Sequence, residues 1–158
     1  MKPQRGARGI AMTPDERDAF LREQLVCRLG TASSDGRPHV SPLWYVWDGE
    51  AMWFYSLVRS QRWTDLQRNP RCSAVVDAGE GEYLELRGVE FGGTVSVLGE
   101  VPRVGEPVPD LAPVEADYVR RYRASGMGWD GRHAWLRLHP EREYSWDFRK
   151  LEGERIGT

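Results

Sequence analysis

Apolar and polar positions change rhythm early in this chain. From Thr13 to about Gln24 the apolar residues recur at helical spacing, with Phe20, Leu21 and Leu25 on the inward side. Thr13-Pro14-Asp15-Glu16 opens that helix with a threonine N-cap, a proline at the first helical position and a glutamate placed to close a capping box. Beyond it the pattern alternates, predicting strands at about 27–33, 38–47 and 51–57. A short helix at about 61–68 and a strand at 71–77 follow, then a turn at Ala78-Gly79-Glu80-Gly81. Strands at about 82–90 and 93–101 flank Gly92-Gly93, and a loop with Pro102, Pro107, Pro109 and Pro113 leads to a helix at about 114–125. Strands at about 133–139 and 143–149 complete the pattern. Many short strands with few helices predict a mainly β, α+β domain built as a small barrel rather than a βαβ sheet.

Asp35-Gly36 and Asp48-Gly49 both favour two-residue hairpin loops, because positive φ is cheap there. A loop at Asp48-Gly49 sets Trp44 against Trp53, Pro42 against Tyr55 and Ser41 against Ser56. Pro42 then lies inside a strand without an N–H to donate, so its nitrogen side needs an edge, a bulge, solvent or a bound planar ring.

The residues Tyr55 to Pro70 read as a strand running into a helix capped by Ser60, with Arg59 and Arg62 at the junction. A helix N-terminus presents unpaired N–H groups and partial positive charge, and guanidinium offers a planar fork of donors. Two readings fit: a phosphate seat, or solvated arginines beside an ordinary cap. The register brings the hydroxyls of Ser41 and Ser56 to the same place. His39 shares a strand face with Ser41 and fits either a ligand contact or a surface position.

Composition narrows the classes. The chain has 158 residues, 40% hydrophobic and 29% charged, which suits one soluble globular domain. A net charge of −2 gives no basic surface for nucleic acid or for an acidic membrane. No apolar run approaches a membrane span, and Met1 to Met12 lack the apolar core of a signal peptide. Cys27 and Cys72 form neither a disulfide framework nor a C-x-x-C pair, so a reducing cytoplasm is the expected setting. Residues 1–12, with Lys2, Arg5 and Arg8, read as a loose basic tail, 13–150 as the domain and 151–158 as a short C-terminal tail. His39, His133 and His139 are too scattered for a metal site, and the nucleophile-elbow, dinucleotide and P-loop signatures are absent. The seven tryptophans exceed what a small barrel needs for filling, which leaves candidates for ring stacking or an interface.

Three segments carry a family resemblance: RLGTASSDGRPHVSPLWYVWDGEAMWFYS at 28–56, RSQRWTDLQRNPRCSAVVD at 59–77 and PEREYSWDF at 140–148. Together they resemble the pyridoxamine 5′-phosphate oxidase-like, FMN-binding split-barrel superfamily, and within it the flavin/deazaflavin oxidoreductases, over residues 13–149. The resemblance implies a homodimer of split β-barrels with cofactors at the subunit interface. It matches Ser41, Pro42, Leu43 and Trp44 to the strand that meets the cofactor ring, and Tyr55 and Ser56 to the next strand of the site. Ser60, Gln61 and Arg62 match the family's Ser-Arg-Lys phosphate motif, and Trp146 matches a tryptophan reaching the cofactor of the other subunit.

There are departures. Gln61-Arg62 replaces Arg-Lys, which shifts phosphate contact towards Arg62 and Arg59. Asp65 stands where deazaflavin relatives often carry asparagine. The arginine segment that holds the vitamin phosphate in true pyridoxamine phosphate oxidases is missing after Trp146, so vitamin B6 oxidation is not expected. The implied activity is hydride transfer from coenzyme F420, or alternatively FMN, to a small unsaturated or aromatic acceptor. The cofactor supplies the chemistry, so no catalytic acid or base is assigned. A non-catalytic carrier and a haem-binding split barrel are the rival expectations.

Overall fold

The computed structural model describes residues 1, 4, 6 and 8–151, of which the side chain of Arg8 is left out. Among them, seven strands join into one antiparallel sheet. In chain order these are β1 (Val26–Ala32), β2 (Pro38–Trp44), β3 (Val46–Trp47), β4 (Met52–Leu57), β5 (Arg71–Ala78), β6 (Arg87–Leu98) and β7 (His133–Asp147). Their order across the sheet is β2-β1-β5-β6-β7-β4-β3. Three helices accompany them: α1 (Pro14–Glu23), α2 (Gln61–Arg68) and α3 (Leu111–Arg121). None of the described helices is long and apolar enough to cross a membrane.

The sheet curls around a core that includes Leu29, Met52, Phe54, Phe91, Leu136 and Leu138. A second core, Val46, Trp53, Leu111, Val114 and Trp135, lies beneath α3. Alternation along β4 serves both. Met52 and Phe54 enter the first core while Trp53 and Tyr55 pack against the second. The result is a curled half-barrel with a helix on its outer face, a split-barrel architecture.

The capping box at Thr13 forms as expected, with Glu16 N donating to Thr13 Oγ1 at 3.2 Å and Thr13 N donating to Glu16 Oε2 at 2.7 Å. Phe20 and Leu21 are buried, but Leu25 is 48% exposed because the helix has ended at Glu23. Helix α2 matches its expected span of residues 61–68. Helix α3 begins three residues earlier than expected, at Leu111, and ends at Arg121.

The expected hairpin register does not form. Residues 38–47 are two strands with different partners, not one. Up to Trp44 the segment pairs with β1, setting Ser41 opposite Leu29, Pro42 opposite Arg28 and Trp44 opposite Val26. After Tyr45 it pairs with β4, setting Val46 opposite Trp53. At the break, Tyr122 Oη accepts from Tyr45 N at 2.9 Å and lies 2.8 Å from the carbonyl oxygens of Tyr45 and Leu25. Neither Asp-Gly pair makes a two-residue loop. In the first hairpin Ser33 N donates to the Arg37 carbonyl at 2.9 Å, which leaves a three-residue loop. In the second Asp48 N donates to the Ala51 carbonyl at 3.3 Å, so the loop is Gly49-Glu50, one residue later than expected, with Asp48 Oδ1 accepting from Glu50 N and Ala51 N.

Two expected breaks are absent. Gly92-Gly93 lies inside a continuous β6, at a bulge where Glu141 of β7 is the extra residue. A Cβ at Gly93 would lie 2.0 Å from the His139 carbonyl oxygen, so the glycine permits close approach rather than a turn. Pro140 is tolerated at that same bulge, and the two segments expected at 133–139 and 143–149 are one strand. The strand expected from residue 82 begins at Arg87, after a single helical turn at Tyr83–Glu85, and the strand expected to reach residue 101 ends at Leu98. Of the segment expected as a loose N-terminal tail, Gln4 Oε1 accepts from Ser145 N at 2.9 Å, and Met12 N donates to Ser145 Oγ at 3.0 Å. Lys2, Arg5 and residues 152–158 lie outside the described residues.

Burial pushes the thiols of Cys27 and Cys72 up to about 12. The folded protein therefore resists iodoacetamide at pH 8, whereas the denatured chain takes up label at both thiols; labelling followed by mass spectrometry checks this. Above the ordinary thiol range the unfolded chain has lost protons that the folded one keeps, so these thiols make stability fall as pH rises. Tyr122→Phe removes the hydroxyl at the strand break and strands the Tyr45 N–H, and is expected to lower unfolding stability by about 1–3 kcal/mol in urea denaturation.

Candidate functional site

The sheet is open between β2 and β4, which lie at or next to its two ends. Arg62, in the first turn of α2, spans that opening. Its Nε donates to Ser56 Oγ of β4 at 3.0 Å, and an Nη donates to Ser41 Oγ of β2 at 3.1 Å. Ser41 and Ser56 are thus brought together as the sequence suggested, but by a guanidinium between them and not by a strand ladder. Pro42 fits because β2 is an edge strand, so its missing N–H leaves no ladder bond unmade.

The start of α2 follows from its sequence. Ser60 Oγ donates to the Leu57 carbonyl at 2.8 Å and accepts from Trp63 N at 3.3 Å, closing the turn and capping the helix. Trp63 and Leu66 anchor the buried face. Asp65 is 2% exposed and accepts from Thr31 Oγ1 and from Gln61 Nε2, both at 2.8 Å. These bonds tie the helix to β1 and engage the Gln61 amide.

Several donors remain open at this turn. The N–H groups of Gln61 and Arg62 have no protein acceptor among the described residues, as expected for the first helical positions. Neither Arg59 nor Arg62 forms an ion pair among those residues. Burial pushes the Arg62 guanidinium below its ordinary value, and no carboxylate offsets that effect. A partly buried cation without an anion, beside a helix N-terminus, is a seat for a phosphate or carboxylate. Arg59 is exposed and lines a recess of about 310 Å³ with Ser60, Gly131 and Arg132. His39 and Gln61 line another, of about 270 Å³, with Arg37 and Asp65.

The remaining site residues fall elsewhere. His39, Ser41 and Leu43 alternate with the more exposed Val40, Pro42 and Trp44 along β2. Leu43 packs against the first core. Trp44 stacks on Tyr122, with ring centres 4.1 Å apart and planes 4° from parallel. Tyr55 lies on the α3 side of β4, with its ring 4.9 Å from His133, 5.0 Å from Trp135 and 5.9 Å from Tyr118. Trp146 meets none of these residues. It covers Gly88 on β6, where a Cβ would lie 2.1 Å from the indole, and lines a groove of about 650 Å³ with Tyr83, Tyr144 and Phe148.

An aromatic wall lines the α3 side of the opening; the sequence places Tyr122 at a barrel end or the dimer seam but assigns no role to Tyr118. Tyr118 and Tyr122 lie four residues apart on one helix face, a spacing legible in the sequence. Tyr118 reaches Trp44 on one lip at 6.1 Å and Tyr55 on the other at 5.9 Å. His133, weighed in the sequence only as a metal ligand, has its Nδ1 2.7 Å from Asp130 Oδ2. No group of three or more metal-ligating side chains occurs among the described residues.

Comparison with known proteins accords with this geometry. No curated protein matches the chain. Among solved structures, a conserved hypothetical protein of Mycobacterium tuberculosis, Rv2991, is similar at 29% identity with a TM-score of 0.78, covering 94% of this chain and 93% of its own. The haem storage protein HutZ of Vibrio cholerae is similar at 21% identity and a TM-score of 0.66, over 84% of this chain and 93% of its own. An F420 reductase is similar at 24% identity and a TM-score of 0.57, over 80% of this chain and 94% of its own. The last two likenesses speak to the fold alone. A family model described as pyridoxamine 5′-phosphate oxidase matches residues 13–147, nearly the whole of the sheet and its helices, and this chain belongs to that family.

Proposed function

We propose that this protein is an oxidoreductase that holds coenzyme F420, or alternatively FMN, at the opening between β2 and β4. The observation that carries the reading is Arg62: partly buried, bonded only to two serine hydroxyls, and lacking any carboxylate among the described residues. Its unpaired Nη and the free N–H groups of Gln61 and Arg62 provide convergent donors for the phosphate that both cofactors share. Arg59 adds positive charge at the rim, while Ser60 shapes the turn and is already engaged in holding it. Gln61 contributes its backbone N–H, because its side chain is bound to Asp65. His39, Ser41, Pro42 and Leu43 supply the β2 edge along which the cofactor is held, with Ser56 facing them from β4.

Once bound, such a cofactor supplies hydride transfer, here to a small unsaturated or aromatic organic molecule. The protein's part is to fix the anion and exclude water with its aromatic wall. Membership of the pyridoxamine 5′-phosphate oxidase family supports a flavin-type cofactor in this seat. We place the protein in the cytoplasm as a homodimer. The dimer is supported by the exposed Val40, Pro42 and Trp44 on β2, and by the aromatic groove that contains Trp146, which would approach the partner's cofactor.

Fluorescence titration with F420 and with FMN tests the assignment. Arg62→Ala is expected to weaken the preferred cofactor by about tenfold to a hundredfold, the range for loss of charge-assisted hydrogen bonds. Unchanged affinity for both would remove Arg62 from the site. Oxidation of the bound, reduced cofactor by members of an acceptor panel separates an enzyme from a carrier.

A further inference from the structure

One buried charge close to the anion seat has no counter-ion. Asp65, one turn into α2, is 2% exposed and forms no ion pair among the described residues. Both of its carboxylate oxygens accept, Oδ2 from Thr31 Oγ1 and Oδ1 from Gln61 Nε2, each at 2.8 Å, which is the pattern of the ionised form. Neutral donors satisfy the oxygens but leave the charge in place, and a buried charge without a counter-ion destabilises a fold. The tie between α2 and β1 does not need it. Asparagine could accept from Thr31 and donate to a turned Gln61 amide, making the same two bonds without a charge.

The charge bears on the seat through the helix that carries both. Asp65 follows Gln61 by four residues, so it lies about 6 Å along the axis from the first N–H groups of α2. At the seat, the full positive charge of Arg62 and about half a charge from the helix end meet the full negative charge of Asp65. Asp35, Arg37 and His39 share the recess of about 270 Å³ that Asp65 lines. Arg37 is 82% exposed and 4.0 Å from Asp35, and Arg59 is exposed at the rim, so solvent and salt screen both cations. Arg62 and Asp65, being less accessible, dominate the local balance. A singly charged anion matches that balance. A doubly charged one brings a second negative charge that no buried cation meets, and it must still shed its water.

We propose that Asp65 sets the charge of the phosphate this seat accepts, favouring a singly charged phosphodiester over a doubly charged phosphomonoester. This rests on the reading of Arg62 and the start of α2 as the phosphate seat, and adds the class of phosphate and the residue that selects it. Of the two cofactors, F420 carries a diester and FMN a monoester, so the charge balance favours F420.

FMN, which carries about two phosphate charges at pH 8, is compared with its methyl phosphodiester, which carries one on the same ring. Both are titrated by fluorescence against the wild-type protein, directly and by displacement of bound F420. The diester is expected to bind about threefold more tightly. A fixed charge acts twice as strongly on a dianion as on a monoanion, so Asp65→Asn should raise FMN affinity about tenfold and that of the diester about threefold, erasing the preference. The melting temperature should stay within about 2 °C of wild type, because both hydrogen bonds can be kept. Gln61→Arg, which sets a guanidinium against Asp65, should move the ratio in the same direction and serves where Asp65→Asn does not fold. A wild-type preference for FMN over its diester overturns the proposal, as does a ratio that neither variant moves. A residue that only ties α2 to β1 would weaken both probes together in Asp65→Asn, which also overturns it, as does bound F420 that neither probe displaces. Failure of F420 and FMN alike to bind the wild-type protein overturns instead the reading on which it rests.

Discussion

The structure turns on one guanidinium in a gap. A sheet that curls without closing leaves two strand edges exposed, and exposed edges invite misassociation. Here β2 and β4 approach across the opening, and Arg62 bonds a serine on each. That arrangement joins the edges while leaving the cation without an anion of its own. A carboxylate in place of either serine would neutralise Arg62 internally and leave it less to offer a ligand. The serines position the charge without cancelling it.

The other elements hold this gap open at a fixed width. On one side, α2 is fastened to β1 through Asp65 and Thr31, which places Arg62 between the strands. On the other, α3 is fastened to the strand break at Tyr45 through Tyr122, and Tyr118 reaches both lips. Arg121 adds a third tie by bonding carbonyls at the end of α1. The opening is thus bordered by a charged side and an aromatic side, each carried on its own helix. Such a division suits a ligand that has an anionic end together with a flat body.

Local signals in the sequence were read well where they act locally. The Thr13 capping box, the Ser60 cap and the span of α2 depend on neighbours within one turn, and all three formed as expected. The strand partners were harder. The Asp-Gly pairs suggested tight hairpins, but the break at Tyr45 is set by Tyr122, 77 residues further along the chain. No local pattern reveals such a contact. Gly92-Gly93 misled for a related reason: two glycines signal a turn when read alone, yet here they allow the His139 backbone to approach. Ser41, Ser56 and Arg62 were correctly gathered, though through a wrong register; the true link is a side-chain bridge. The contacts of Tyr118 with Trp44 and Tyr55 join residues far apart in the sequence and show only in three dimensions.

The central claim, that the cation at the split meets a phosphate, is tested most directly by removing the phosphate from the ligand instead of the arginine from the protein. Affinities of FMN and riboflavin, and of F420 and its phosphate-free deazaflavin core, are compared by equilibrium titration at two ionic strengths. The account predicts that the phosphorylated member of the preferred pair binds at least about tenfold more tightly, with a gap that narrows in Arg62→Ala. Equal affinities within both pairs in the wild-type protein would contradict it.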